Sequence, residues 1–210
     1  MSEADRPKRL QLRKAPRQDR SAAMVDDILE AAARVLVDVG FEQMNTNLVA
    51  ERAGVSVGSL YQYFPHKDAL IAELIDRRAE AEQAFMRDWI ARVPPGDLEA
   101  ALEAIVRGTL AFRATDPALH HALLEQMPHI GRFDPLRERV ERAAQGLVLL
   151  LEHHRDRLPG GDVRLARFVI VNAIHSLTHD GALPPPDHVD DDRLVAAVMR
   201  LLRGYLLAPR

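Results

Sequence analysis

Residues 46–65 read TNLVAERAGVSVGSLYQYFP. Two short apolar-patterned segments, about Asn47 to Ala53 and about Val57 to Phe64, flank a turn at Gly54 and stop at Pro65. A helix-turn-helix packs two such helices at a steep angle across a turn of three or four residues, and that geometry restricts composition. The crossing point admits only a small side chain, here Ala50. The turn needs a backbone that takes positive φ without strain, which Gly54 supplies. Apolar side chains from both helices must plug the junction, and Val49, Ala53, Val55, Leu60 and Tyr63 fall at those places. Ser56 stands where its side chain caps the second helix, with free N–H groups and the positive dipole end turned to a phosphate.

The outward residues of the second helix, Val57, Gly58, Ser59, Tyr61 and Gln62, are small, polar or aromatic and carry no charge. Small residues let a helix backbone approach base edges closely. Gln62 can pair with adenine through two hydrogen bonds, and Ser59 can serve several bases. Tyr61 is long enough to reach a phosphate or a thymine methyl. Lys67, opening the next helix, and Thr46, before the first helix of the pair, are natural phosphate contacts. The competing reading is an αα-hairpin in a helical scaffold, with Tyr61 and Tyr63 as core aromatics.

Working outward, Ile28, Ala32, Val35, Leu36 and Val39 recur at helical spacing, and Gly40 ends that helix. Lys67 begins a long helix whose stripe runs Leu70, Leu74, Arg78, Ala81, Phe85 and Trp89, until Pro94, Pro95 and Gly96 break it. Asp116–Pro117 and Asp134–Pro135 each place a capping acid before a proline at the first helical position. Asp190, Asp191 and Asp192 open the last helix, where negative charge suits the dipole. No segment alternates with period two. The expected fold is all-α with about nine helices: a three-helix N-terminal helix-turn-helix domain and a larger C-terminal helical bundle. The expected division is a basic arm over 1–20, a DNA-binding domain over 21–66, and a ligand-binding and dimerisation domain over 67–210.

The 210 residues are 47% hydrophobic and 28% charged, with a net charge of −3 and no cysteine. Disulfides, thiolate metal sites and a cysteine nucleophile are thereby excluded. No apolar run approaches the roughly 18 residues of a membrane helix, and the basic N-terminus lacks the apolar segment of a secretory signal. A cytoplasmic protein fits. Between Arg6 and Arg20 seven basic residues face one acid, Asp19. That stretch reads equally as a solvated tail and as an arm following phosphates. No glycine-rich phosphate loop, nucleophile elbow or paired-carboxylate spacing stands out, so no enzyme and no cofactor is expected.

The chain resembles the TetR family of bacterial transcriptional regulators from about Ala22 to Leu74. The resemblance takes in ILEAAARVLVDVGF (28–41), LVAERAGVSVGSLYQYF (48–64) and PHKDALIAEL (65–74). It implies that the third helix enters the major groove, with contacts from Ser56, Val57, Gly58, Tyr61, Gln62 and Tyr63. It implies backbone contacts from Lys67 and Thr46. Leu48 departs from the polar or acidic residue common in the family. Beyond Ile75 the resemblance is architectural, and it implies a domain that binds a small molecule and dimerises through its last two helices. Dimerisation also follows from the short reach of one recognition helix; two, related by a two-fold axis, read successive major grooves. The expected interface is Ile170, Ile174, Leu177, Val195, Val198, Leu202 and Leu206, which would equally suit an intramolecular core.

The stripe Phe168, Asn172, His175 and His179 fits a ligand pocket wall, a dimer seam or the core. Trp89, Phe112, Met127 and Phe133 are further candidate pocket walls. His175 and His179 have metal-ligand spacing, but no third ligand follows, so no metal is expected. The expected function is a homodimeric, ligand-released repressor on a pseudo-palindromic operator. The rivals are an effector-independent helix-turn-helix protein and a histidine-dependent helical metalloenzyme.

Overall fold

The structure is a computed structural model that describes residues 19–130, 145–178 and 189–206, with side chains at 21–126, 146–178 and 189–206. Among these residues there are nine α-helices and no strand. They are α1 (Asp19–Gln43), α2 (Thr46–Arg52), α3 (Val57–Tyr63), α4 (Lys67–Ile90), α5 (Leu98–Thr115), α6 (Pro117–Ile130), α7 (Gln145–His153), α8 (Val163–Thr178) and α9 (Asp191–Leu206). The all-α class read from the sequence is the class observed.

Aspartates start most of the later helices. Asp97, Asp116, Asp162 and Asp190 each accept, at 2.8–3.0 Å, the N–H three residues ahead. Each thereby satisfies one of the donors that a helix leaves unpaired at its start. The Asp134–Pro135 start lies outside the described residues. Gly40, at φ 74°, breaks the helical line of α1 at the expected place, and a short turn runs on to Gln43.

The helices form two compact units. The first takes in α1 to α3, α4 as far as Glu80, and α6. Its core joins Ile28, Ala32, Val35 and Leu36 of α1 to Val49, Ala50, Leu60 and Phe64, then to Leu70, Ile71, Leu74 and Ile75 of α4 and Leu123 of α6. This packing extends beyond the 21–66 segment. In α4, Ala69 to Ala72 and Leu74 to Asp76 are buried on nearly every side, so a single apolar stripe is too narrow there. Ala81, counted in that stripe, is exposed.

The second unit holds α4 from Ala81, then α5, α7, α8 and α9. Leu102, Val106 and Leu110 of α5 meet Leu147 and Leu151 of α7 and the inner faces of α8 and α9. This core corrects the expected dimer interface. Ile170, Ile174, Val195, Val198, Leu202 and Leu206 are all at most 5% exposed within one chain. Their side chains already fill this unit's own interior and have no area left to offer a second copy. Only Leu177 of that set, 42% exposed, is on the surface.

Candidate DNA-binding surface

The side chain of Asn45 caps α2, accepting the N–H groups of Asn47 at 3.1 Å and Leu48 at 3.0 Å. Asparagine is among the preferred capping residues, so the signal was present in the sequence. Thr46 accordingly sits in the first turn of α2 rather than before it. At the other end the N–H of Val55 reaches the carbonyl of Ala50 at 3.0 Å, and that of Gly54 reaches Glu51 at 3.1 Å. This paired closure requires a left-handed residue, and Gly54 has φ 67°. An added Cβ at Gly54 would meet nothing within 4 Å, so the glycine is demanded by backbone conformation and not by space.

The turn delivers α3 onto α2 with Val49, Ala50 and Leu60 at most 1% exposed at the junction. Ser56 caps α3, its Oγ accepting the Ser59 N–H at 3.0 Å. The Ser59 hydroxyl lies 2.8 Å from the same Ser56 Oγ, so this side chain is turned to the cap. Tyr63, expected among the DNA contacts, is 6% exposed and belongs to the core. Val57, Gly58, Tyr61 and Gln62 remain, all exposed and all on the side of α3 opposite Leu60 and Tyr63.

Two phosphate contacts expected from sequence have partners within the chain. The Tyr61 hydroxyl and Thr46 Oγ1 are 3.0 Å apart, linking α3 to the start of α2. One proton lies between them, which leaves the other hydroxyl hydrogen of the pair to donate outward. Lys67 Nζ donates to the Phe41 carbonyl at 2.7 Å and stands 4.1 Å over the Phe41 ring. Its ammonium retains two further donors. Nothing in sequence spacing relates Lys67 to Phe41. Lys67→Met keeps the aliphatic stem while removing both contacts, and should destabilise the protein by about 1–3 kcal/mol. DNA affinity should fall for all sequences alike, with the salt slope reduced by about one. Melting curves and binding at several salt concentrations check this; an unchanged melting temperature would mean that the Phe41 contact contributes nothing.

Among the described residues, those expected to hold a ligand fall in different surroundings. Phe112 is buried, its ring 5.6 Å from Phe85, which in turn lies 6.3 Å from Trp89. Gly108 admits this cluster, because a Cβ there would come within 2.7 Å of Met86 Sδ and 3.2 Å of Trp89 Cγ. Phe168 is instead 65% exposed on α8. Asn172, also exposed, turns its amide back to the Phe168 carbonyl at 2.8 Å. His175 is half-buried. The side chain of Met127, and both Phe133 and His179, lie outside the described residues. Among the described residues no group of three or more histidine, aspartate or glutamate side chains could hold a metal ion.

A separate groove of about 350 Å³ lies along α5 and α9, lined by Glu103, Arg107, Asp192, Met199, Arg200 and Arg203 among others. Arg107 bonds Asp192 at 2.7 Å and Glu103 at 2.8 Å, and these two carboxylates hold its pKa above the ordinary arginine value. The Tyr205 phenol on α9 is likewise raised, by burial first and then by the negative charge of Asp162.

A capped short helix crossed on an alanine, with an exposed and uncharged outer face, defines the reading half of a helix-turn-helix DNA-binding regulator. Residues 28–74 match the family described as bacterial regulatory proteins, tetR family. Residues 97–206, just over half of the chain, match the tetracyclin repressor-like C-terminal domain. The chain is 30% identical over 166 residues to the transcriptional regulator BetI of Cronobacter sakazakii, covering 74% of this chain and 78% of that protein. It is 32% identical over 96 residues to the repressor KstR of Rhodococcus jostii, covering 46% of this chain and only 43% of that protein. The fold is similar to the crystal structure of a transcriptional regulator from Pseudomonas aeruginosa, with TM-score 0.71 and 22% identity over 91% of this chain and 94% of that one. The chain belongs to the tetR family of bacterial transcriptional regulators. No helix among the described residues is long and apolar enough to cross a membrane.

Proposed function

We propose that this regulator is a homodimeric repressor that occupies a pseudo-palindromic operator in the cytoplasm and is released by a small molecule. The observation that carries the DNA-binding part is the outer face of α3. Val57, Gly58, Tyr61 and Gln62 are exposed while Val49 and Ala50 of α2 and Leu60 and Tyr63 of α3 anchor the pair in the core. Ser56 contributes the cap, and the Thr46–Tyr61 pair, with its one remaining hydroxyl hydrogen, and Lys67 hold donors towards the sugar-phosphate chain.

The dimer seam is proposed on the outer faces of the last two helices. Leu165 and Phe168 of α8 are 50% and 65% exposed, and Leu201 of α9 is 54% exposed. On α8, Leu165 and Phe168 lie away from the buried Ala166, Ile170 and Ile174, and on α9 Leu201 flanks the buried Val198 and Leu202. A two-fold axis there would place the same face of both copies together. In this reading Phe168 and Asn172 belong to the seam, and the effector is taken up among Trp89, Phe112 and their aromatic neighbours.

The effector must bind the conformation with low DNA affinity more tightly, since equal affinity shifts nothing. The chain passes from the DNA-reading unit to the other unit inside α4, at Glu80–Ala81, and that helix is the proposed lever. Selection of bound duplexes from a random pool tests the proposal. The expected winners are inverted half-sites whose centres lie about 34–36 Å apart. A pool that shows no enrichment overturns the reading.

A further inference from the structure

α3 contains no lysine, arginine, aspartate or glutamate. With Ser59 drawn into the cap and Tyr61 bonded to Thr46, two outward side chains have no partner among the described residues, Val57 and Gln62. Val57 is 37% exposed, and Gln62 is exposed one and a half turns further along. Gly58 lies between them on the same face. A Cβ at Gly58 would approach only Ser56 Oγ, at 3.8 Å, an ordinary contact. Its φ is not positive either. The chain itself therefore has no need of glycine here, although glycine weakens a helix relative to alanine. The bare backbone at 58 leaves room for a surface outside the chain to come close enough for a short valine to touch it.

The chemistry of this face selects its partner. Guanine offers two adjacent acceptors, O6 and N7, which the paired donors of arginine or the ammonium of lysine match best. α3 presents neither. Of the flanking cations, Arg52 is engaged with Asp38 at 2.9 Å and Lys67 with Phe41. Adenine offers a donor beside an acceptor, N6–H and N7, and the amide of glutamine carries the complementary pair. Thymine alone presents a methyl group in the major groove, and the valine methyls complement it.

We propose that the base pairs facing α3 are A·T pairs read without charge, a thymine methyl packing on Val57 and an adenine edge pairing with Gln62. This rests on the DNA-binding function proposed above, and Val57 becomes its specificity-determining residue. The close approach that Gly58 allows brings both contacts within reach at once.

The test starts from the operator enriched from the random pool with the full-length protein. Each thymine of one half-site is then replaced by deoxyuridine, which removes the C5 methyl and nothing else. One such replacement should weaken binding about three- to fivefold, the effect of exposing one methyl group. Val57→Ala, a change at an exposed position, should bind more weakly and lose that sensitivity. Replacing the same pair by C·G should weaken binding further, and 5-methylcytosine there should recover part of the loss. Gln62→Ala should relax the choice of adenine at a different pair, with about five- to a hundredfold weaker binding, and keep the methyl sensitivity. An enriched palindrome with G·C pairs under α3, or with no thymine sensitive to deoxyuridine, overturns this proposal while DNA binding stands. Absence of any enriched duplex overturns both.

Discussion

Phe168→Glu should leave a single chain folded and abolish tight operator binding. Phe168 is 65% exposed on α8, so a glutamate there stays in water in the monomer, and surface changes of this kind alter stability by about 0.5 kcal/mol or less. In the proposed dimer the same position lies in the seam. A two-fold axis brings the substitution in twice, and each copy would place an unpaired carboxylate in an apolar contact, at several kcal/mol apiece. The protein should therefore sediment as a monomer at micromolar concentration while its helical content and melting curve change little. With one recognition helix per particle, operator affinity should fall by roughly a thousandfold, towards the level of non-specific binding. Ile170→Val is the matched control two residues away. It acts on a side chain with no exposed area, so it should lower stability by about 0.5–1.5 kcal/mol and leave assembly untouched. A dimeric Phe168→Glu protein would remove the outer face of α8 from the interface.

The contrast between these two residues shows where a sequence is informative. Apolar spacing identifies α8 as amphipathic, and Ile170 and Ile174 as its greasy face. It does not say whether that face meets its own chain or another copy, because both demand the same residue types. Burial in one chain assigns Ile170 and Ile174 to its own core, and the proposed seam therefore uses the weaker stripe of Leu165 and Phe168. A related limit affects α6. Leu119 and Leu123 mark a helix with an apolar side, but only the folded chain shows that Leu123 joins the core formed by α1 to α4. Local signals fared better because they act over three or four residues. Ser56 capping α3, Gly54 at positive φ and Asp116 before Pro117 all stand as the sequence reads. Partnerships such as Lys67 with Phe41, or Tyr61 with Thr46, join residues 26 and 15 positions apart, and no periodicity encodes them. Tyr63 shows the remaining ambiguity. At the end of a seven-residue helix one tyrosine is exposed and its neighbour but one is buried, and composition treats them alike.

The crossing of α2 and α3 is where the fold and the DNA-reading surface depend on the same atoms, and Leu60→Ala measures that dependence. Leu60 has no exposed area and is held against Val49 and Ala50 by a helix of only two turns. Short helices have little stability of their own, so α3 keeps its orientation through packing rather than propensity. Removing the side chain loses its burial and leaves a cavity, together about 2–5 kcal/mol. For a chain of this length each kcal/mol moves the melting temperature by about 2–4 °C, so a drop of roughly 4–20 °C is expected. Leu60→Met conserves volume and should stay within about 1.5 kcal/mol of the parent. Operator affinity measured well below the melting point adds the functional half of the argument. If α3 is aimed by this contact, Leu60→Ala should bind more weakly even where it is fully folded, with Val57 and Gln62 chemically intact. A variant that melts as predicted yet binds DNA like the parent would place the aiming of α3 elsewhere, in the Ser56 cap and the Tyr61–Thr46 bond.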